Sequence, residues 1–199
     1  MIATLQEAAT PNSETQLMTV EEFFSLPDND DCERMLIQGR LWEKPMTRRN
    51  RWHSSTEARI ASLLDQWVRR QPKPRGRVYS GEGGFVLRDS PSTAVGIDVA
   101  YASAEVVQAC DTTTRMVNGP PVLAVEILSP NDKQEEIIGK VREYLDVGVA
   151  LVWIVEPEFQ TVTVYRPNDR PRLFTGGDVL SGEPHMPGLQ ITVSEIFED

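Results

Sequence analysis

Two apolar segments with a helical pattern between them constrain the fold more than any other feature of this sequence. They are "PVLAVEIL" (121–128) and "ALVWIV" (150–155), and the second is apolar on both faces, as a central strand of a sheet is. Between them, apolar residues recur at helical spacing over 137–145, and Gly148 suits the position just after a helix. Strands that alternate with a helix in this way predict an α/β protein.

Capping patterns predict where two of the helices begin, and a third helix is predicted at the end of the chain. Thr19 is followed three residues later by Glu22, which matches a capping box at the start of a short helix. Asp132 and Glu135 have the same spacing, so we expect a second capping box at the start of the central helix. The closing segment "VSEIFED" (193–199) predicts one further helical turn.

The remaining segments add strands and one long helix. Two apolar runs flank Gln38-Gly39, which predicts a tight hairpin. An amphipathic helix is predicted from about His53 to Arg70. "RVYSGEGGFVL" (77–87) and "VGIDVAYA" (95–102) predict strands, and the glycines of the first indicate a β-bulge. "TVTVYRP" (161–167) alternates and is expected to return as an antiparallel strand, so the predicted sheet is mixed and flanked by helices.

The 199 residues and their composition fit a single domain, predicted for 18–199, preceded by a leader over 1–17 that we expect to be disordered. The leader lacks the basic and apolar regions of a secretory signal. The longest apolar stretch, residues 147–155, is far shorter than the roughly 20 residues that span a bilayer. Two cysteines, Cys32 and Cys110, cannot form a disulfide framework, so we predict a cytoplasmic protein without a membrane partner.

Charge is distributed unevenly along the chain. The formal net charge of −10 argues against a nucleic-acid partner, but residues 40–88 hold twelve Lys/Arg and only four acids. The rest of the chain carries a net charge of −18. The basic segment therefore indicates either a polyanion-binding face or packing against acidic neighbours, and the pattern favours neither.

Two acids interrupt apolar strands. Asp98 in "VGIDVAYA" and Glu126 in "PVLAVEIL" are the only charged residues of these segments. One such acid is most often a structural hydrogen-bond acceptor, but two in candidate neighbouring strands would repel each other unless protonated or bridged by a cation. Hard divalent ions such as Mg²⁺ prefer carboxylate oxygens, so the pair predicts a metal site.

Three helical residues are weaker candidates on spacing alone. His53 and Glu57 lie one turn apart on the apolar stripe of their predicted helix, so Glu57 is expected to face the core side. The alternative for Glu57 is a first-turn acid that the helix dipole favours, and His53 fits either a phosphate contact or a helix cap. Lys140 follows Glu136 by four residues, which favours an exposed ion pair on the helix surface.

The segment from "VGIDVAYAS" through "GPPVLAVEILSPNDKQEEIIGKVREYLDVGVALVWIVEPEFQTVTVYRP" resembles the bacterial Uma family of endonucleases. That family belongs to the restriction-endonuclease-like PD-(D/E)XK superfamily. The likeness extends to "MTVEEFFSLP", "GRLWEKP" and "GDVL…MPGLQITVSEIF", so it covers nearly the whole chain from Met18. It implies a restriction-endonuclease-like mixed β-sheet flanked by helices.

The resemblance also implies a site. In the superfamily an Asp and a Glu on adjacent strands bind Mg²⁺ beside a Lys, which maps the metal ligands onto Asp98 and Glu126. The Pro that usually precedes the aspartate is Ile97 here, and Leu128 stands where the Lys is expected. The resemblance implies that in this family the lysine lies on the helix after the strand and not on the strand itself. Lys140 is then the candidate. Glu57 is similar to the first-helix acid of some superfamily members.

These residues imply a Mg²⁺-dependent endonuclease, with Mn²⁺ as a substitute metal, that hydrolyses phosphodiester bonds in nucleic acid, most simply DNA. Arg48, Arg49, Arg51 and His53 are the candidate substrate contacts, and a homodimer would suit cleavage of both strands of a duplex. The alternative is a nuclease-like module that binds or regulates without catalysis. A P-loop, a G-x-S-x-G elbow and a zinc-ligand spacing are absent from the sequence, which excludes those classes.

Overall fold

The computed structural model describes residues 6–7, 17–29, 31–46, 49–110, 115–130 and 132–198. Most of the predicted leader falls outside these ranges, and its disorder stays a prediction. Within it, strand β1 (Gln6–Glu7) pairs antiparallel with a strand of the main sheet. Within the described ranges, no helix is long and apolar enough to cross a membrane.

Five helices and twelve strands make up the described part of the chain. The helices are α1 (Val20–Phe24), α2 (Arg51–Arg70), α3 (Ala104–Ala109), α4 (Gln134–Asp146) and α5 (Val193–Phe197). After β1, the strands are β2 (Cys32–Ile37), β3 (Arg40–Pro45), β4 (Arg77–Asp89), β5 (Ser92–Ala102), β6 (Val117–Asn118), β7 (Leu123–Ile127), β8 (Leu151–Glu156), β9 (Thr161–Tyr165), β10 (Arg172–Thr175), β11 (Val179–Ser181) and β12 (Gln190–Thr192).

Ten of these strands form one mixed sheet, which confirms the predicted class. Its main order is β1-β3-β2-β5-β7-β8-β9-β10, with β4 paired to both β5 and β6. β7 and β8 run parallel because α4 connects them, whereas β8 and β9 are antiparallel, as predicted. β5 carries β4 along its length and pairs with β2 near its start and with β7 near its end. The strand that contains Asp98 therefore lies at the junction of the sheet.

Apolar clusters cover the sheet and fix the helices on it. One cluster joins α2 and α5 to the strands through fully or almost fully buried side chains such as Leu64, Val125 and Ile196. A second cluster packs α4 through Val141 and Tyr144 onto neighbouring strands. Because successive side chains of a strand point to opposite faces, β7 contributes to both clusters. The first cluster positions α2, and the second positions α4, which carries Lys140.

Local geometry follows the sequence signals at most turns. Gln38 and Gly39 both have positive φ (51° and 74°) in the predicted β2–β3 hairpin. The capping box of Thr19 and Glu22 is present at α1, and Gly148 (φ 96°) follows the end of α4.

The second predicted capping box is wrong. α4 begins after Lys133, which makes no side-chain cap. Asp132 instead accepts a hydrogen bond from the Ser129 amide (2.7 Å) and lies 3.4 Å from the Lys44 ammonium. The loop that ends β7 competes for the Asp132 carboxylate, so the helix starts one residue later than the capping pattern requires.

The buried carboxylate of Glu143 in α4 connects this helix, through hydrogen bonds, to the β2–β3 hairpin and to the sheet. Glu143 is 4% exposed and accepts hydrogen bonds from Arg88 (2.6 Å), Thr93 (2.8 Å) and Gln38 (2.8 Å). These partners come from β4, β5 and the β2–β3 turn. A buried charge with this many donors is satisfied, and removal of the charge leaves the donors without their acceptor.

We therefore predict that Glu143→Ala lowers the free energy of unfolding by about 2–4 kcal/mol, and Glu143→Gln by less, because the amide retains part of the network. Urea denaturation of both variants measures the change. Arg142→Ala, on the exposed face of the same helix, is the control and should stay within about 0.5 kcal/mol of wild type. Equal stability of Glu143→Ala and Arg142→Ala would contradict the structural role.

Candidate active site

Adjacent strands bring the two candidate metal ligands together. Asp98 in β5 and Glu126 in β7 are 3% and 8% exposed, and each lies one residue beyond the antiparallel pair Val99–Val125. Asp98 Oδ2 accepts a 2.8 Å hydrogen bond from the amide of Ile127, the residue after Glu126. Backbone pairing and this bond fix the two carboxyl groups in one cleft at the sheet.

Two side chains of α4 hold the Glu126 carboxylate. Lys140 Nζ donates to Oε2 at 2.7 Å and Tyr144 Oη donates to Oε1 at 2.6 Å, one helical turn further on. Burial raises the pKa of Glu126, although the nearby Lys140 ammonium acts in the opposite direction. Burial would also lower the pKa of Lys140, but the Glu126 carboxylate outweighs it and the pKa of the ammonium is raised. Lys140 thus stays a cation beside the acid.

The position of Lys140 differs from what helical spacing alone favours. Its ammonium pairs with Glu126 across the cleft, whereas Glu136 lies 3.6 Å from Lys133. Leu128, which stands where the superfamily lysine is expected, lines the same cleft. α4 therefore supplies to Glu126 the cation that β7 lacks, as the resemblance implied.

His53 is fully buried between two acids. Its Nε2 lies 3.3 Å from Asp98 Oδ1 and its Nδ1 lies 3.8 Å from Glu57 Oε2. Burial would raise the pKa of Asp98, but His53, the Ile127 amide and Arg49 outweigh it, and the pKa of Asp98 is lowered. A buried ring cannot reach a phosphate on the protein surface. The predicted substrate contact of His53 is therefore replaced by a contact with Asp98.

Glu57 lies outside the cleft, next to His53. Its Oε1 accepts the amide of Gly81, in the β4 bulge that the glycines predicted. The structure places Glu57 beside His53, and it does not line the cleft that holds Asp98 and Glu126. Glu57 therefore fixes the bulge and lies near His53.

The same bulge supplies an acid that sequence reasoning did not identify. The register of β4 against β5 shifts between Ser80 and Gly83, so Gly81 and Glu82 lie opposite Asp98. Glu82 has φ 57°, and a Cβ on Gly96 would come within 2.7 Å of its carboxylate. The glycines on both strands make this orientation possible. The sequence signal that could have identified Glu82 is its position as a single acid between two glycines.

The predicted arginines have three different outcomes. Arg49 lines the cleft, forms an ion pair with Glu82 and lies 3.4 Å from Asp98 Oδ1. Arg51 is exposed, with its guanidinium 4.2 Å from the centre of the Trp52 ring. Arg48 lies outside the described residues. Of the two described arginines, the structure therefore places only Arg49 beside Glu82 and Asp98.

The cleft is acidic despite these cations. Its charged lining comprises six acids and three bases: Glu33, Glu82, Asp98, Glu126, Asp132 and Glu136, with Lys44, Arg49 and Lys140. Its cavity volume is about 40 Å³, and one water needs roughly 10–15 Å³, so it accommodates an ion with a few waters and not a nucleotide. An excess of carboxylates in so small a space fits a cation.

The donor set fits Mg²⁺. In the described ranges, no three His, Cys, Asp or Glu side chains are placed to hold a metal together. Mg²⁺ commonly takes one or two carboxylates and keeps several waters, so Asp98 and Glu126 are sufficient protein ligands. Asp98 Oδ1 is buried and makes no hydrogen bond of good geometry among the described residues, although His53 Nε2 and Arg49 lie 3.3 and 3.4 Å from it. The other oxygen of Asp98 and both oxygens of Glu126 already accept hydrogen bonds. Asp98 Oδ1 is therefore the oxygen most available to a cation.

The basic segment does not form one face. Lys44, Arg49 and Arg51 lie around the cleft end of α2, whereas Arg69 and Arg70 close the helix. The 20 residues of α2 separate these ends by roughly 30 Å. The described basic residues of 40–88 are therefore not gathered at the cleft, and Arg88, for example, pairs with the buried Glu143.

The fold and the Asp, Glu and Lys groups on β5, β7 and α4 define a restriction-endonuclease-like protein. The Uma2 family, described as "Putative restriction endonuclease", matches residues 20–194, and the chain belongs to this family. A crystal structure described as "a putative nuclease belonging to DUF820 from Anabaena variabilis" has the same fold, with a TM-score of 0.73 and 22% identity. The match covers 90% of this chain and 97% of that chain. A comparison with curated proteins finds no match.

The Glu126–Lys140 pair gives a testable energetic consequence. Lys140→Met leaves a buried carboxylate without its counter-ion and should lower the free energy of unfolding by about 2–4 kcal/mol. The double variant Glu126→Gln/Lys140→Met should recover most of the loss, because it removes both charges. Chemical denaturation of the two single variants and the double variant measures the coupling, with Arg142→Met, exposed on the same helix, as the control. Additive losses would contradict a direct pair.

Proposed function

We propose that this protein is a metal-dependent endonuclease that hydrolyses phosphodiester bonds in DNA. The observation that carries the proposal is the position of three groups in one cleft. Lys140 Nζ lies 2.7 Å from Glu126, and Asp98 on the neighbouring strand accepts a hydrogen bond from the amide of Ile127, the residue after Glu126. Asp98 and Glu126 would hold Mg²⁺, and Mn²⁺ would substitute for it. The metal would supply a bound water of lowered pKa and polarise the scissile phosphate.

Lys140 acts as an electrostatic group in this mechanism. Its raised pKa keeps the ammonium protonated, so it does not serve as the base. It orients the attacking water and offsets the negative charge that develops on the phosphate, and a fixed cation in a partly buried site does so effectively. Glu126 holds the ammonium in place before the substrate binds.

Arg49 and His53 have separate tasks. Arg49 lies beside Glu82 and Asp98, and from this position it contacts the substrate phosphate. His53, backed by Glu57, positions Asp98 from the buried side. A histidine behind a metal-binding carboxylate orients the ligand and so affects metal affinity more than substrate affinity.

A second candidate function is binding or regulation without catalysis. The observation that favours it is the charge of the cleft, which has three more acids than bases and contains Arg49 close to Asp98. Retained metal binding without cleavage would identify such a module. A cytoplasmic location and a homodimer stay predictions from the sequence.

Cleavage of supercoiled DNA tests the proposal. Wild-type protein should nick it with Mg²⁺ or Mn²⁺ and not with EDTA. Glu126→Gln and Lys140→Met should each slow cleavage at least 100-fold, because each removes a charge that acts in the transition state. Arg142→Met, exposed on the same helix and outside the cleft lining, is the control and should cleave at the wild-type rate. Equal nicking by all variants would indicate a contaminant, and no cleavage with intact Mn²⁺ binding would favour the binding module.

The positioning role of His53 has a distinct signature. His53→Gln should raise the Mn²⁺ concentration at half-maximal cleavage roughly 10- to 100-fold, and excess Mn²⁺ should restore most of the rate. A folding defect would lower the rate at every metal concentration. Metal titration of the cleavage rate distinguishes the two, and an unchanged metal dependence would contradict the role of His53 behind Asp98.

A further inference from the structure

A larger groove continues from the acidic cleft. It lies between the start of α2, the loop after β7, the β8–β9 turn and α5, and Leu128 and Asp132 line both spaces. Its cavity volume of about 810 Å³ falls within the 300–1,000 Å³ range typical of pockets for small organic groups. A strand with a phosphate in the cleft could therefore place a neighbouring nucleotide in the groove.

An exposed tryptophan lines this groove. Trp52 is 57% exposed, whereas Trp67 and Trp153 are buried in the core and Trp42 is half-buried. The Arg51 guanidinium lies 4.2 Å from the Trp52 ring centre. The indole of Trp52 is thus open to solvent inside the groove, and an indole face is a side-chain surface on which nucleobases stack.

The charges of the groove favour a base over a phosphate. Four acids line it, Asp132, Glu156, Glu158 and Glu198, and Arg59 is the one Lys or Arg among the described lining residues. The Arg59 guanidinium already donates to the Glu198 carbonyl at 2.8 Å. A phosphodiester would be repelled here. An uncharged base is not, and its amino groups can donate to the carboxylates.

We propose that this groove binds an unpaired nucleobase next to the scissile phosphodiester, with Trp52 stacked on the base. The proposal rests on the nuclease function proposed above. It assigns a substrate class, because a base inside a duplex cannot enter the groove without leaving its partner. The substrate is then single-stranded or locally unpaired nucleic acid, and Trp52 selects it without reading its sequence.

Binding measured without turnover tests the groove. In the Glu126→Gln background, the affinity for a fluorescent 12-nucleotide single strand and for the matching duplex is measured by anisotropy. Trp52→Ala should weaken single-strand binding roughly 5- to 100-fold, and Trp52→Phe should stay within about threefold, because phenylalanine also stacks. Phe159→Ala, an exposed aromatic on the β8–β9 turn that does not line the groove, is the matched control and should bind unchanged.

The outcomes separate this proposal from the nuclease proposal. Trp52-dependent binding of single strands supports the groove even if the wild type does not cleave. Metal-dependent cleavage by the wild type, together with unchanged single-strand binding by Trp52→Ala, overturns the groove alone. Equal affinity for duplex and single strand overturns it as well.

Discussion

The structure depends on one buried ion pair, between Glu126 in the sheet and Lys140 on the helix that follows. A lone carboxylate in β7 would cost several kcal/mol, and the ammonium of Lys140 and the hydroxyl of Tyr144 offset that cost. The pair also fixes α4 against the sheet. Apolar residues of similar size would stabilise such a core at least as well, so stability alone does not explain the charges. The nuclease activity proposed for these groups next to Asp98 would explain them.

The excess of acids around this pair decides what the cleft can bind. Six carboxylates face three basic side chains, so a phosphate would be repelled unless a cation lies between them. Arg49 neutralises part of this charge through Glu82 and Asp98. The proposed metal would change this local balance, so the acidity of the chain as a whole is compatible with a nucleic-acid substrate. The wider groove beside the cleft is acidic too, which suits bases better than backbone.

The sequence predicted the parts of this arrangement that follow from local patterns. Asp98 and Glu126 stood out because each breaks an apolar strand, and the structure places them together. Glu143 did not stand out, since an acid on a polar-looking helix gives no sign that three distant partners will bury it. Glu82 depends on a bulge whose register only the paired strands determine. The position of Lys140 followed from family resemblance, because its spacing favoured an exposed ion pair.

Calorimetric titration of Mn²⁺ into the wild-type protein and into Asp98→Asn tests the central claim most directly. Substitution of the acid by its amide keeps the shape of the side chain and removes the charge that the metal requires. The account predicts Mn²⁺ binding to the wild type and a loss of that binding in Asp98→Asn, with both proteins folded by circular dichroism. Absence of binding to the wild type, or equal binding to both proteins, would contradict a metal site at Asp98 and Glu126.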